Sequence, residues 1–398
     1  MDKRRSEVST VITELDKEYV AGTYKRFPIE LVSGKGSLIC GSDGREYIDL
    51  GSGIGVTSFG LCDSEWTEAV CSQATRLQHV SNLYYTEPCA RLAEMLCKKT
   101  GMGKVFFSNS GAEANECAIK FARKYAAEKR GEDCFNVITL ENSFHGRTLT
   151  TLSATGQDHY HELFRPLTPG FVHVKANDSE GFLKTAAESN PAAVMIECVQ
   201  GEGGVVPLEQ EFVKTVADYA KKNDVALIID EVQTGNGRTG KLYSYMHYGI
   251  EPDIVSTAKG LAGGLPLGAT LVSRKYGNVL GYGDHGSTFG GNPVSCAGAL
   301  SILGRIDDEL LEKVRRKSAA VFGLLKGAPG VTDVRGLGLM IGIKTERPAS
   351  EVVAECLDRG VLCLTAKDRV RLLPALNIPD DLLAKAVKII IEVCSKVS

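Results

Sequence analysis

From about residue 104 onward, the chain alternates short apolar segments with longer amphipathic ones. The short segments are rich in β-branched residues and end in polar ones, whereas the longer segments place apolar residues at helical spacing. This alternation is typical of a largely parallel sheet covered by helices. We predict strands at KVFF, NVITL, AAVMIE, ALIID, DIVST and GATLVS, with crossover helices at ANECAIKFARKYAAEKR and FVKTVADYAKKND.

The two ends of the chain follow different patterns. Before residue 60, GSLICGSDGREYIDL predicts antiparallel strands joined by a turn at Asp43 and Gly44, and beyond about residue 300 helices mix with short strands. A chain of 398 residues is also long for one compact domain. We predict that residues 1–58 join a small domain formed mainly by residues 300–398, and that residues 59–299 form a large domain.

Charge and composition exclude several classes of function. The net charge is -3 with both signs mixed along the chain, so no basic stripe is available for nucleic acid. No apolar run approaches the ~20 residues that span a bilayer, and MDKRRSEVST lacks the apolar core of a secretion signal. We expect a soluble, cytoplasmic protein without a metal site, whose twelve scattered cysteines are mostly reduced and buried, including Cys117, Cys198 and Cys394.

Informative residues follow three of the predicted strands. Ligands of parallel sheets bind beyond the carboxyl ends of the strands. The segment from Ser108 to Glu113 follows KVFF and opens a helix, where unpaired N–H groups favour a phosphate, although an ordinary capped helix start would look the same. Asp230 and Glu231 stand where the strand that begins ALII should end, and Lys259 follows DIVST.

Taken together, these three strand ends match the needs of pyridoxal phosphate. This cofactor requires an amine that forms an imine, a carboxylate that keeps the pyridine nitrogen protonated, and a cradle for the phosphate. Each residue alone has a simpler interpretation, because a buried Asp is usually structural and a single Lys is usually solvated. The combination is much more specific than any one of them.

Two other motifs point to different chemistry. Residues 235–240 satisfy GxGxxG, but residues 231–234 separate them from the strand and KLYSYMHYG is a poor following helix, so we interpret them as a loop. Residues 256–259 satisfy the SxxK motif of serine hydrolases, with KTG at 99–101. In those hydrolases KTG comes after SxxK and an SDN motif lies between, so this remains a remote alternative.

Six ordered motifs carry a family resemblance, SNSGAEANE, NSFHGRTL, ECVQGEGGVVP, LIIDEVQTGNGRTG, STAKGLAGGLPLGA and GSTFGGNP. Together they resemble the class III pyridoxal-phosphate aminotransferases, and the likeness extends from about residue 23 to about residue 378. It implies the α/β architecture of a fold type I pyridoxal-phosphate transferase, with a mostly parallel central sheet and a smaller α+β domain. One departure is GLCDS at residues 60–64, where members of the class usually have GHxHP.

The resemblance also implies roles for residues that would hold the cofactor. Ser110, Gly111 and Ala112 would bind the phosphate, Phe144 would stack on the ring, Asp230 would hold the pyridine nitrogen, Gln233 would contact the phenolic oxygen, and Lys259 would carry the cofactor as a Schiff base. Thr288 would reach the phosphate of the neighbouring subunit's cofactor, so a homodimer is expected. Core packing for Phe144 and a plain turn for Thr288 remain the alternatives.

The substrate contacts follow from the same resemblance. Arg147 would hold the distal carboxylate, Arg371 the α-carboxylate of glutamate or 2-oxoglutarate, and Glu202 would mask Arg371 when an ω-amine binds, with Ser287 as a further contact. Structural salt bridges are the alternative for these charged residues. TYKRFPIE and SNLYYTEP favour N-acetylornithine of arginine biosynthesis as the amino donor over ornithine, acetyl-lysine, succinyldiaminopimelate or 4-aminobutyrate.

Overall fold

A computed structural model describes residues 10–396 and divides them into helices, strands and connecting turns. Within these residues no helix is both long and apolar enough to cross a membrane, and the cytoplasmic location stays a prediction. The helices are α1 Thr10–Tyr19, α2 Ser52–Gly55, α3 Ser64–Arg76, α4 Glu87–Thr100, α5 Gly111–Arg130, α6 Leu149–Ala154, α7 Ser179–Ser189, α8 Gln210–Lys222, α9 Pro293–Gly304, α10 Asp308–Leu325, α11 Ala349–Asp358 and α12 Asp380–Cys394. The strands are β1 Leu31–Lys35, β2 Leu38–Gly41, β3 Glu46–Asp49, β4 Lys104–Ser108, β5 Asn136–Leu140, β6 Phe171–Val174, β7 Pro191–Ile196, β8 Val199–Gln200, β9 Val206–Pro207, β10 Ala226–Asp230, β11 Ile254–Thr257, β12 Gly268–Val272, β13 Val331–Leu337, β14 Met340–Thr345, β15 Val361–Leu362, β16 Leu364–Ala366 and β17 Arg369–Leu372.

The central sheet contains seven strands in the order β4-β12-β11-β10-β7-β5-β6. All six strands predicted from the apolar segments belong to it. The seventh, β6, was not predicted, because its FVHV sequence is short, interrupted by a histidine and placed at the edge of the sheet. The strands from β11 to β6 pair in parallel, whereas β12 runs antiparallel to both β11 and β4. No crossover helix separates β11 from β12, so the chain turns back directly.

Alternate residues of the central strands enter two different cores. In β7, Ala193 and Met195 pack into the core that contains the buried face of α5, whereas Val194 and Ile196 pack into the core that contains α7 and α8. Strand side chains alternate between the two faces of a sheet, so a strand covered on both sides must be apolar throughout. This explains why AAVMIE and ALIID lack the polar alternation of a half-exposed strand.

A second core joins the two ends of the chain. The predicted hairpin is confirmed, because β2 and β3 pair antiparallel around a turn in which Gly44 has a φ of 75°. Ile48 and Leu50, which follow this turn, pack with Ile343 and Val370 from the C-terminal sheet and with residues of α11 and α12. The domain boundaries near residues 58 and 300 stay predictions.

The remaining sequence predictions have structural outcomes of their own. All twelve cysteines carry free thiols, and Cys117, Cys198 and Cys394 are buried as predicted. Residues 231–240 form a series of turns and not a helix start, and Ser256 of the SxxK motif is enclosed within β11. In the GLCDS segment, Asp63 caps α3 by accepting a hydrogen bond from the Trp66 amide.

Arg238, within the GNGRTG loop, links the large sheet to the C-terminal part of the chain. Its side chain is buried, and Nη1 donates hydrogen bonds to the carbonyl oxygens of Leu339 and Pro374. Burial lowers the pKa of Arg238 to about 10, while the nearby charge of Asp49 acts in the opposite direction. The guanidinium therefore stays charged at neutral pH and satisfies carbonyl groups that have left water.

Replacing this arginine should destabilise the whole fold. We expect Arg238→Met to lower the free energy of unfolding by about 2 kcal/mol, because it strands two buried carbonyl oxygens without a charged donor. Urea unfolding followed by circular dichroism measures the change. Arg316→Met is the matched control, since Arg316 pairs with Asp380 at the exposed surface and its removal should cost less than about 0.5 kcal/mol. Equal small losses would contradict the role given to Arg238.

Candidate active site

The carboxyl ends of five central strands open onto one cavity of about 440 Å³. Because β4, β5, β7, β10 and β11 all run in the same direction, the residues that follow them meet at this edge. Of the predicted cofactor-binding residues, only Thr288 does not line it. The lining consists of Val56, Asn109, Ser110, Gly111, Ala112, Asn115, Phe144, His145, Gly146, Arg147, Glu197, Asp230, Val232, Gln233, Ala258, Lys259 and residues 264–267.

Asp230, the last residue of β10, forms the buried base of the cavity. Only 3% of it is exposed, and its Oδ2 lies 2.8 Å from both Asn115 Nδ2 and His145 Nδ1. Its Oδ1 accepts a hydrogen bond of 2.9 Å from the Val232 amide. Its neighbour Glu231 does not line the cavity, but accepts hydrogen bonds from the Ser244 hydroxyl and other groups. The Asp230 carboxylate is therefore held rigidly, which suits a role as a fixed anion.

His145 and Glu197 complete a cluster of buried titratable groups. Burial opposes protonation of His145, but the hydrogen bond to Asp230 and the charges of Asp230 and Glu197 raise its pKa above the usual value. Burial raises the pKa of Glu197 to about 7, with the charge of His145 lowering it and that of Asp230 raising it. The Glu197 Oε2 accepts a hydrogen bond of 3.0 Å from the Phe144 amide.

Lys259 follows β11 and lines the cavity, and among residues 10–396 its amine has no hydrogen-bond or ion-pair partner. Burial lowers the pKa of its ammonium group, an effect that the charges of Glu202 and Asp230 partly offset. Its φ is 44°, a left-handed backbone conformation that a lysine adopts only when the surroundings impose it. A lowered pKa suits Lys259 to act as a nucleophile or a base.

The start of α5 satisfies both interpretations of its sequence. Ser110 caps the helix by accepting a hydrogen bond from the Glu113 amide, and the Glu113 carboxylate accepts from the Asn109 amide and the Ser110 hydroxyl, as in a capping box. The first-turn N–H groups of Gly111 and Ala112 have no intrahelical acceptor. Both residues line the cavity, so the helix start is capped and can still hold an anion.

Phe144 and Arg147 lie on the next segment of the cavity wall, after β5. The Arg147 guanidinium carbon is 4.4 Å from the centre of the Tyr160 ring and 5.5 Å from the centre of the Phe144 ring. Within residues 10–396 these two rings are the contacts of the Arg147 guanidinium, and no carboxylate or carbonyl group hydrogen-bonds it. Ring faces hold a cation without neutralising it, so Arg147 remains available to an external carboxylate.

Glu202 and Arg371 form the predicted ion pair beside the cavity. Arg371 Nη1 donates to Glu202 Oε1 over 2.6 Å, and only 3% of Arg371 is exposed. Burial raises the pKa of Glu202, but the charge and hydrogen bond of Arg371 outweigh burial and lower it overall. Gln233, which lines the cavity, also contacts both members of the pair.

Ser287 and Thr288 lie away from this cavity. Ser287 lines a second cavity of about 430 Å³, although it is linked to the first because its Oγ accepts a hydrogen bond from Asn109 Nδ2. Thr288 is exposed on the same loop. A single chain therefore does not bring Thr288 to its own Lys259.

Sequence reasoning missed several residues of the site. Glu197 ends the predicted strand segment AAVMIE and could have been found by the strand-end rule applied to Asp230. His145 lies within the motif NSFHGRTL, but the motif gives it no role of its own. Asn115 lies one turn into α5 and carries no local signal, and Tyr160 comes from a separate 3-10 turn, so only the fold reveals their contacts.

Comparison with known sequences gives one consistent result. The sequence profile of the family described as Aminotransferase class-III matches residues 19–394. The chain is 48% identical over 390 residues to the acetylornithine aminotransferase of Haemophilus ducreyi, which covers 98% of this chain and 99% of that protein. It is 44% identical over 369 residues to the acetylornithine aminotransferase of Methanocaldococcus jannaschii, with 91% of this chain and 92% of that protein covered.

Solved structures show the same architecture. An ornithine aminotransferase from Toxoplasma gondii, with partial occupancy of PLP at its active site, superposes with a TM-score of 0.92 at 31% identity, covering 96% of this chain and 94% of that one. Acetylornithine aminotransferase from Elizabethkingia anophelis superposes with a TM-score of 0.86 at 31% identity, covering 97% of this chain and 99% of that one.

The raised pKa of Glu197 predicts a pH-dependent stability. The unfolded carboxyl group has an ordinary pKa of 4.5, whereas the folded one releases its proton only near pH 7. The folded state therefore loses stability through this group as the pH rises from about 4.5 to about 7. Glu197→Gln, which cannot ionise, should escape that loss.

The quantity to measure is the free energy of unfolding of Glu197→Gln minus that of the unaltered protein. We expect this difference to be about 2 kcal/mol larger at pH 8 than at pH 5, because only the unaltered protein is destabilised over this range. Urea unfolding of protein stripped of small-molecule ligands measures it at both pH values. Glu132→Gln is the control, because Glu132 is exposed in a loop and its replacement should show no such dependence. A difference that is the same at both pH values would contradict the buried neutral form of Glu197.

Proposed function

The chain belongs to the class-III aminotransferases, and we propose that it transfers the ω-amino group of N-acetylornithine to 2-oxoglutarate, giving N-acetylglutamate 5-semialdehyde and glutamate. The class establishes a pyridoxal-phosphate-dependent transamination between an amino donor and a 2-oxo acid. The observation that carries the chemistry is the convergence of Lys259, Asp230 and the start of α5 on one cavity.

The residues of this cavity fit pyridoxal 5'-phosphate. When bound, the cofactor supplies an aldehyde that takes up amino groups and a pyridinium ring that accepts electrons. Gly111 and Ala112 offer unpaired N–H groups to a phosphate, and the Ser110 hydroxyl, which donates to the Glu113 carboxylate, would turn from it to join them. Two buried polar atoms near Asp230, Asn115 Oδ1 and His145 Nε2, have no hydrogen-bond partner in the described part of the chain, which indicates a cavity built around a further polar group.

Asp230, Lys259 and Phe144 would each have a separate role toward the cofactor. Asp230, fixed by Asn115 and His145, would hold the pyridine nitrogen in its protonated form. Lys259 Nζ would bind the aldehyde and, once released by the incoming amine, hold and return a proton as general base and acid. The Phe144 ring would cover the cofactor, while its amide stays anchored to Glu197.

Substrate binding would depend on the two arginines. Arg147, held by ring faces and free of protein acceptors, would bind the carboxylate far from the reacting amine. Arg371 would bind the α-carboxylate of glutamate or 2-oxoglutarate after Glu202 moves away. With N-acetylornithine bound, Glu202 would remain paired with Arg371. The arginine charge would then be neutralised where the substrate presents only an uncharged methylene group.

N-acetylornithine is proposed on the strength of the relatives. Proteins described as acetylornithine aminotransferases share 48% and 44% identity over nearly the whole chain, whereas the ornithine aminotransferase from Toxoplasma gondii shares 31%. Ornithine is therefore the principal alternative, followed by acetyl-lysine, succinyldiaminopimelate and 4-aminobutyrate. Neighbouring substrates of this kind differ by only about 1–3 kcal/mol in a pocket, so the donor must be measured.

A homodimer would complete the site. Thr288 is exposed beside the second cavity, and the aromatic side chains of Tyr84, Tyr85 and Phe289 in the same region are largely exposed as well. Exposed apolar patches of this kind mark contact surfaces. We propose that a second copy of the chain covers this surface and that each Thr288 reaches the cofactor phosphate of its partner.

The role of Lys259 is tested by removing its amine. We expect Lys259→Ala to lose the absorbance of the lysine-bound cofactor and to reduce transamination by more than about 10³-fold, because no other amine in the cavity can bind the aldehyde. Lys241→Ala is the matched control, since Lys241 is exposed and does not line the cavity. Undiminished turnover of Lys259→Ala would rule out the proposed site.

The donor is tested with single half-reactions. Each candidate amine is mixed with the holoenzyme in the absence of 2-oxoglutarate, and the loss of the lysine-bound cofactor absorbance is followed. We expect N-acetylornithine to react with a kcat/KM at least about five-fold above that of ornithine. Arg147→Met should slow N-acetylornithine but spare 1-aminopentane, which has no carboxylate to grip. Faster reaction with ornithine would overturn the proposed donor while leaving the aminotransferase assignment intact.

A further inference from the structure

Gln233 forms a closed triangle of hydrogen bonds with the Glu202–Arg371 pair. Its Oε1 accepts from Arg371 Nη1 over 3.2 Å, and its Nε2 donates to Glu202 Oε1 over 3.2 Å. The third side is the bond of 2.6 Å between Arg371 Nη1 and Glu202 Oε1. The amide of Gln233 is thus turned with its acceptor towards the cation and its donor towards the anion.

The position of this amide is imposed by its surroundings. Gln233 is 8% exposed and lies three residues beyond the end of β10, where the Val232 amide is bonded to Asp230. A Cβ atom at Gly201 would lie 2.0 Å from Gln233 Oε1, so the glycine of the QGEGG turn makes room for the carbonyl. Glu202 in that turn is more accessible, with 29% of its side chain exposed, and is therefore the member of the triangle with room to leave.

Departure of Glu202 would change the surroundings of Arg371. Among the described residues, the Arg371 guanidinium would keep Gln233 Oε1 as an acceptor, while its buried Nε already has none. A buried charged donor without a partner is strongly unfavourable. The amide carbonyl is a neutral acceptor, so it can orient the guanidinium without cancelling the charge that attracts a carboxylate.

We propose that Gln233 is a specificity-determining positioning residue that holds Arg371 for an α-carboxylate once Glu202 has left. In this arrangement the carboxylate of glutamate or 2-oxoglutarate replaces the Glu202 carboxylate in the same triangle, accepting from both Arg371 and the released Gln233 Nε2. The inference rests on the proposed function, since it assigns Arg371 to the α-carboxylate. N-acetylornithine, which leaves Glu202 in place, gains nothing from this exchange.

The two half-reactions of suitable variants test the proposal. Gln233→Met keeps the length of the side chain but removes the amide, and we expect the KM for glutamate to rise about ten-fold relative to that for N-acetylornithine. Gln233→Glu, nearly the same shape, adds a second carboxylate beside Arg371 and should also penalise glutamate. Gln157→Met is the control, because Gln157 is buried and bonded only to the Ser143 carbonyl through its amide nitrogen, and its replacement should leave the ratio of the two KM values unchanged.

A binding measurement provides a readout that does not depend on turnover. Glutarate has two carboxylates but no amine, so it cannot react, and calorimetry on the holoenzyme gives its affinity directly. We expect both Gln233 variants to weaken glutarate about ten-fold, with thermal unfolding confirming that they are folded. Unchanged glutarate affinity, or equal losses in the two half-reactions, would overturn the proposal by showing that Gln233 does not position Arg371. If the unaltered enzyme ignores N-acetylornithine but the variants still weaken glutarate, the donor assignment fails and the role of Gln233 stands.

Discussion

Parallel pairing of the central strands is the constraint on which the rest of this structure depends. Because β5, β7, β10 and β11 run in one direction, the residues after each of them are delivered to a single edge of the sheet. Residues as distant in the sequence as His145, Glu197, Asp230 and Lys259 therefore meet in one cavity. The apolar residues of these strands are buried on both faces, and the polar groups of the cavity come from Asp230 at the end of β10 and from the residues that follow the strands.

Burial then determines how the charged residues of the cavity behave. Asp230 tolerates near-complete burial because Asn115, His145 and the Val232 amide stabilise it. Glu197, close to that negative charge and with fewer donors, holds its proton up to about pH 7, and Lys259 gives up its proton more readily than an exposed lysine. The same low-dielectric surroundings therefore raise the pKa of the Glu197 acid and lower the pKa of the Lys259 ammonium group.

The packing of the two cores brings a further residue to the cavity. Arg371 belongs to β17, in the C-terminal sheet, yet it contacts Glu202, in the turn between β8 and β9, and Gln233, in the turns after β10. Arg238 supports this junction from the other side by binding the carbonyl groups of Leu339 and Pro374. In the proposed function, selection between substrates would depend on contacts between the two parts of the chain, whereas Ser110, Asp230 and Lys259 lie at the ends of strands of the central sheet.

The sequence by itself determined the features that depend only on short stretches of neighbouring residues. Apolar periodicity predicted the central strands and crossover helices, and polar residues at the strand ends predicted Ser110, Asp230 and Lys259, because these signals need only a few neighbouring residues. The tertiary structure alone decided the antiparallel direction of β12, the hydrogen bonds of Asn115 and His145 to Asp230, and the two hydrogen bonds by which Gln233 joins the predicted Glu202–Arg371 pair. Such contacts join residues that are far apart in the chain, for example 138 positions between Gln233 and Arg371, and no local pattern records which distant side chain will lie within reach.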